Sequence, residues 1–168
     1  MEVFERVGLP GREWRYLATV RSESNGTFKF LARPGPARIL RFAYGGTATT
    51  RSEVEEVELR VQAGVSLVPN RRRVRNGEDV IFRGRVLGQP VPEAGKLLAL
   101  QALTSRGWRT FATPRASARD GRWSFRYRFT GTPVTTRYTF RVVVPQESSY
   151  PYARGTSKVA HVLVRGTG

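Results

Sequence analysis

From Arg122 to Phe129 every second side chain is aromatic: Trp123, Phe125, Tyr127 and Phe129 share one face, and Arg122, Ser124, Arg126 and Arg128 share the other. A period of two sorts side chains to opposite sides of an extended chain, which a helical period cannot do. The pattern recurs in 136–144, where Tyr138, Phe140, Val142 and Val144 point one way. In 79–86, Val80, Phe82, Gly84 and Val86 alternate with Ile81, Arg83 and Arg85. Together with 65–68, 97–103, 108–113 and 157–165, this gives seven short strands in residues 64–168, with no helical stripe. Short strands at regular spacing, punctuated by turn residues, predict an all-β sandwich of two sheets.

The chain also repeats itself. Trp14-Arg15, Ala18-Thr19 and Arg21 return 94 residues later as Trp108-Arg109, Ala112-Thr113 and Arg115. Asn25-Gly26-Thr27-Phe28-Lys29-Phe30 then answers Asp120-Gly121-Arg122-Trp123-Ser124-Phe125. Leu40, Phe42 and Tyr44 match Tyr138, Phe140 and Val142, and Val57, Leu59 and Val61 match Ala160, Val162 and Val164. A repeat this long implies tandem domains rather than stacked small units. The Asn-Gly and Asp-Gly pairs predict type I′ hairpin turns. Residues 1–63 contain nothing equivalent to 65–97, so the first copy is expected to be a partial sandwich of about five strands lacking its first two. Its edges and apolar face are then open to pairing with another chain, and the sequence reads as the C-terminal piece of a longer repeat protein.

Three stretches of the second copy carry a resemblance: 74–84 (VRNGEDVIFRG), 107–113 (GWRTFAT) closed by 120–123 (DGRW), and 150–157 (YPYARGTS) before the final Val-rich strand. They resemble the bacterial immunoglobulin-like repeat domains of secreted and cell-surface proteins, especially those of actinobacteria. The resemblance covers 64–168 well and 1–63 partially. It implies a tandem of immunoglobulin-like β-sandwich domains, 1–63 partial and 64–168 complete, serving as a non-catalytic spacer or adhesive module outside the cell beside other domains of a parent chain. No signal peptide is read in the first residues, Met1-Glu2-Val3-Phe4-Glu5-Arg6. No apolar run approaches the length that spans a bilayer, so no membrane insertion is expected.

Composition argues against catalysis. There is no Cys, one His and two Asp, which removes Cys-based metal sites, multi-His sites and a Cys nucleophile. The single His161 is expected on an outward strand face. Asp79 and Asp120 belong to separate turns. Glu53, Glu55, Glu56 and Glu58 form the densest acidic stretch, read as a solvated strand face or, alternatively, a calcium site. Asn25-Gly26-Thr27 is a formal glycosylation acceptor that a turn explains equally well. The three Trp are assigned to cores. No catalytic residue, metal or cofactor is expected.

Charge is the remaining signal. The 29 Lys+Arg against 13 Asp+Glu give a formal net charge of +16, and 26 of the 29 are Arg. A GC-rich genome or selection for anion contact would each produce that bias. The excess is one-sided: residues 1–63 carry 10 basic and 8 acidic groups, residues 64–168 carry 19 and 5. If the second and fifth strands are neighbours, as the immunoglobulin-like arrangement implies, then Arg83, Arg85, Arg122, Arg126 and Arg128 share an outer face. The run Arg71, Arg72, Arg73 and Arg75 would then sit near one end of it, in a connection. Such a face either keeps the domain soluble or binds an anionic polymer, cell-wall glycopolymer or nucleic acid. A further alternative is carbohydrate stacking on Tyr150 and Tyr152 if these lie exposed on a loop, although packing at the sandwich end accounts for them as well.

Overall fold

The computed structural model describes residues 1–167. Among the described residues all regular structure is β. The chain divides into two compact units, Met1–Val61 with Glu147–Ala153, and Gln62–Gln146 with the chain from Arg154 onward. The segment Glu147–Ala153, which the sequence places in 64–168, therefore packs with the first unit: Ala37 N donates to Pro151 O (2.8 Å) and Ala153 N to Val61 O (2.8 Å).

The first unit holds β1 (Glu2–Val7), β2 (Arg15–Thr19), β3 (Arg38–Tyr44) and β4 (Glu53–Leu59) in one antiparallel sheet, ordered β2-β1-β3-β4. Its core is small. Val3, Leu40 and Phe42 are buried, with Met1, Leu17, Val20, Phe30, Ala32 and Leu59 packed against them. Four strands form rather than the expected five. The missing one is the Phe28–Phe30 stretch, which is irregular, although Phe28 and Phe30 still stack on Phe42 with ring centroids at 5.1 and 5.8 Å. Asn25-Gly26 is not a type I′ hairpin, because Gly26 has positive φ but Asn25 does not. Instead the Asn25 carboxamide oxygen accepts from the Thr27 backbone N–H (3.0 Å), an Asx turn.

The second unit contains β5 (Gly64–Val65), β6 (Val68–Pro69), β7 (Arg73–Arg75), β8 (Asp79–Leu87), β9 (Lys96–Leu97), β10 (Ala99–Thr104), β11 (Gly107–Ala112), β12 (Arg115–Ala116), β13 (Arg122–Arg128), β14 (Thr136–Val144), β15 (Gly155–Thr156) and β16 (Ala160–Arg165). One sheet runs β13-β8-β5, with β6 also on β8. The other runs β11-β10-β14-β16-β7, with β15 on β14 and β7 parallel to β16. The sheets face each other across an aromatic core in which Phe82 of β8 meets Phe140 of β14 at 4.7 Å and Phe111 of β11 at 6.4 Å. This is an immunoglobulin-like β-sandwich.

The two units explain each other. The order β2-β1-β3-β4 repeats β11-β10-β14-β16, so the first unit is one sheet of the sandwich without its facing sheet. The counterpart of Phe28–Phe30 is β13, and β13 has a single ladder partner, β8. Nothing in the first unit corresponds to β8, and a strand without a neighbour leaves its backbone groups unpaired. The register also corrects the sequence alignment by two residues: Val57 lies opposite Leu40 as Val162 lies opposite Tyr138. Val57 is 42% exposed and Val162 is 0% exposed, which measures what the absent sheet would cover.

Of the three Trp, only Trp123 is core. Trp14 and Trp108 are half-buried, each against a guanidinium: Arg41 lies 3.9 Å and Arg6 4.6 Å from the Trp14 ring centroid, and Arg141 lies 4.1 Å from that of Trp108. An indole face attracts a cation as readily as it fills a core, and strand alternation alone does not tell the two apart.

Candidate anion-binding surface

β8 and β13 pair antiparallel with Arg85 opposite Arg122, Arg83 opposite Ser124, Ile81 opposite Arg126 and Asp79 opposite Arg128. Directly opposed residues project from the same face of a sheet. The inward set, Val80, Phe82, Trp123 and Phe129, is buried, so the five Arg necessarily stand together on the outer face, and all five are exposed. The arrangement that the resemblance implied for this strand pair is the one observed.

Two like charges opposed at Arg85 and Arg122 would normally weaken the ladder. The turn that joins β12 to β13 relieves this. Arg85 Nε donates to the Asp120 carbonyl oxygen (2.6 Å), while Arg122 Nε sits 3.4 Å from the Asp120 carboxylate. The backbone N–H of Arg122 donates to that carboxylate (3.1 Å) and holds the Asp120 carboxyl below its ordinary range, so it stays ionised. The turn is wider than a type I′ hairpin: Gly121 N and the Ser117 carbonyl close it at 2.8 Å, and only Gly121 has positive φ. At the other end, Asp79 lies 3.8 Å from Arg126 and 4.0 Å from Arg128, exposed pairs of small energy. Arg128 Nε donates to the Gly77 carbonyl (2.7 Å). Arg83, midway along β8, has no partner among the described residues. Along the ladder and its turn five guanidinium groups thus face two carboxylates, while Glu78 and Glu93 line the depressions that flank it.

The run Arg71–Arg75 is not a single feature. Arg71 joins Arg126 and Arg128 around a depression of about 390 Å³ at one end of the face. The chain then crosses to the other sheet, and Arg73-Val74-Arg75 form β7 against β16 rather than a connection. Val74 is buried in the core while Arg73 and Arg75 face outward on the opposite sheet. The expected contribution of Arg72, Arg73 and Arg75 to the β8–β13 face is therefore overturned. Pairing of β7 with β16 carries those side chains away from it.

Sequence reasoning missed Arg115. A depression of about 850 Å³ beside β13 is lined by Arg83, Arg85, Arg115 and Arg122 together with Glu93. Arg115 falls between the expected strands 108–113 and 122–129, and its place there depends on the short β9–β12 pairing that no periodicity announces.

Tyr150 and Tyr152 are 2% and 8% exposed, with ring centroids 4.8 Å apart. Neither presents a face for a sugar, and the carbohydrate-stacking reading is corrected to packing. Burial pushes the Tyr150 phenol up to about 12. An unfolded phenol ionises near pH 10 while the folded one stays neutral, so folding stability falls between about pH 10 and 12, by roughly 1–2 kcal/mol after solvent screening. Thermal unfolding should show that extra decline in the wild type and not in Tyr150→Phe. Parallel pH profiles for the two would contradict it.

His161 is half-buried, its Nδ1 3.0 Å from Thr139 Oγ1 on the neighbouring strand. The Glu stretch of β4 divides between the two sides of its sheet. Glu55 lies opposite Phe42, whereas Glu56 pairs with Arg41, and Glu58 with Arg60 at 3.0 Å. Among the described residues no group of three or more carboxylate or His side chains could hold a metal ion, and no helix is long and apolar enough to cross a membrane.

No protein-family model matches the chain, and no curated protein does. Among solved structures, it is similar to fibronectin(III)-like modules of Clostridium thermocellum CbhA, with a TM-score of 0.41 and 10% identity over 98% of this chain and 78% of that one.

Proposed function

We propose that this chain is a non-catalytic β-sandwich module of a bacterial extracellular or surface protein, and that it adheres to an anionic polymer through the outer face of β8 and β13. The observation that carries the reading is the ladder register that stands Arg83, Arg85, Arg122, Arg126 and Arg128 side by side with two carboxylates among them. Planar guanidinium forks suit phosphate, sulfate and carboxylate groups alike. No aromatic ring stands among these outward side chains to stack on bases, which favours a charged glycopolymer over single-stranded nucleic acid.

The test is retention of the full chain on heparin, duplex DNA and purified bacterial cell wall across a salt series. Five neutralised phosphates give a log–log slope of about −4.5 on duplex DNA. Retention that survives physiological salt with a slope of that order, strongest on the cell wall, supports adhesion. Release from all three well below physiological salt assigns the charge to solubility and leaves a spacer. Open-edge pairing through residues 1–63 would show separately, as self-association insensitive to polymer.

A further inference from the structure

The second sheet is the more basic of the two. Its five-strand path, β11-β10-β14-β16-β7, contains no Asp or Glu, while Arg73, Arg75, Arg109, Arg137, Arg141 and Arg165 lie on it. Register groups the outward ones: Arg73 and Arg137 both lie opposite Leu163, one on each side, and Arg75 lies opposite Arg165. Neighbouring strands are about 4.8 Å apart, so the backbones of Arg73 and Arg137 are separated by about twice that, within reach of adjacent anionic groups on one polymer. A groove of about 540 Å³ runs where this sheet meets β6 of the other, lined by Arg72, Arg73, Arg137 and His161 over an apolar floor that includes Val68, Pro69, Val159 and Leu163. Arg72, Arg73 and Arg137 have no side-chain partner among the described residues. Arg141, by contrast, is committed to Trp108 and to Gln101 (2.9 Å).

We propose that this groove is a second binding site for sulfate or phosphate groups, so that one module bridges two polyanion chains. The inference rests on the adhesive reading of the β8–β13 face and adds valence to it. The two sites are distinct, because the groove draws no Arg from the β8–β13 face and shares only Val68, at the edge of the sandwich, with the depression beside Arg83 and Arg85. A molecule with two such sites cross-links polymer, whereas a molecule with one only coats it.

Calorimetric titration of the full chain with a heparin-derived tetrasaccharide and, separately, with tripolyphosphate distinguishes sulfate from phosphate as the group taken. The wild type should bind two equivalents of at least one of them. Arg73→Glu/Arg137→Glu/Arg165→Glu should retain one equivalent, as should the charge reversal of the β8–β13 face. The corresponding Gln substitutions repeat the experiment with less electrostatic disturbance to folding. Light scattering with long heparin should rise for the wild type and stay low for either reversed variant while both still bind. One equivalent in the wild type, or cross-linking undiminished by the Arg73/Arg137/Arg165 reversal or its Gln counterpart, overturns the second site and leaves the first intact. No binding of either probe or of long heparin by the wild type overturns both.

Discussion

Replacing Arg83, Arg85, Arg126 and Arg128 together by Glu is expected to lower the affinity of the β8–β13 face for duplex DNA about 10³-fold at physiological salt and to flatten the log–log salt slope of that face by about 3.6. Both figures follow from the release of about 0.9 counterion for each phosphate neutralised. With four fewer phosphates neutralised, the affinity that builds up between about 1 M and 0.15 M salt is smaller by close to three decades. On an anionic glycopolymer of similar charge density the reduction is of the same order, and repulsion by the four new carboxylates adds to it. The fold tolerates the change. Arg85→Glu places an acid directly opposite Arg122, where two cations now oppose each other, while Arg128→Glu places one opposite Asp79. Cross-strand terms of this kind are each worth roughly 0.2–1 kcal/mol and here have opposite signs. The melting temperature should therefore move by only a few degrees. Retention unchanged in the folded variant would show that the face contributes nothing, and retention lost along with the fold would be exposed by the thermal scan.

Gly84→Ala is expected to be strongly damaging to the second unit. Gly84 lies in the middle of β8, opposite Trp123, between the outward Arg83 and Arg85. A Cβ there would overlap the Ser66 carbonyl oxygen and approach Trp123 Nε1 to 2.7 Å. Neither neighbour yields cheaply. The Ser66 backbone is held by its own N–H to Arg85 O (3.0 Å), and its hydroxyl accepts from Arg85 N (2.9 Å). Trp123 is 4% exposed. Overpacking of a fixed backbone costs about 1–3 kcal/mol and sometimes more. For a unit of about 100 residues each kcal/mol shifts the melting temperature by roughly 4–8 °C, so a drop of about 10 °C or more is the expected reading. A shift within about 3 °C, less than 1 kcal/mol on the same scale, would mean the Ser66 segment moves freely. The same substitution at Gly131, whose Cβ would meet nothing within 4 Å and whose φ is not positive, is the control without steric overlap.

Alternation alone determined the all-β class, the long strands of the second unit and which side of β8 and β13 is aromatic, because period two leaves a strand no freedom in how its side chains are sorted. The short strands β7, β9, β12 and β15 it did not announce. The same alternation shows each Arg to be outward. It does not show which strands are neighbours. That β8 and β13 pair, and so gather five Arg on one face, is a long-range fact of the sandwich. So is the crossing after Arg71, which sends Arg73 and Arg75 to the other sheet beside Arg137. The Phe28–Phe30 segment states the limit most clearly. Its sequence matches a strand, yet it is none, because a strand exists only by hydrogen bonds to a neighbour and the partner β13 finds in β8 has no counterpart in the first unit. Local sequence decided where side chains point, and tertiary pairing decided which of them meet.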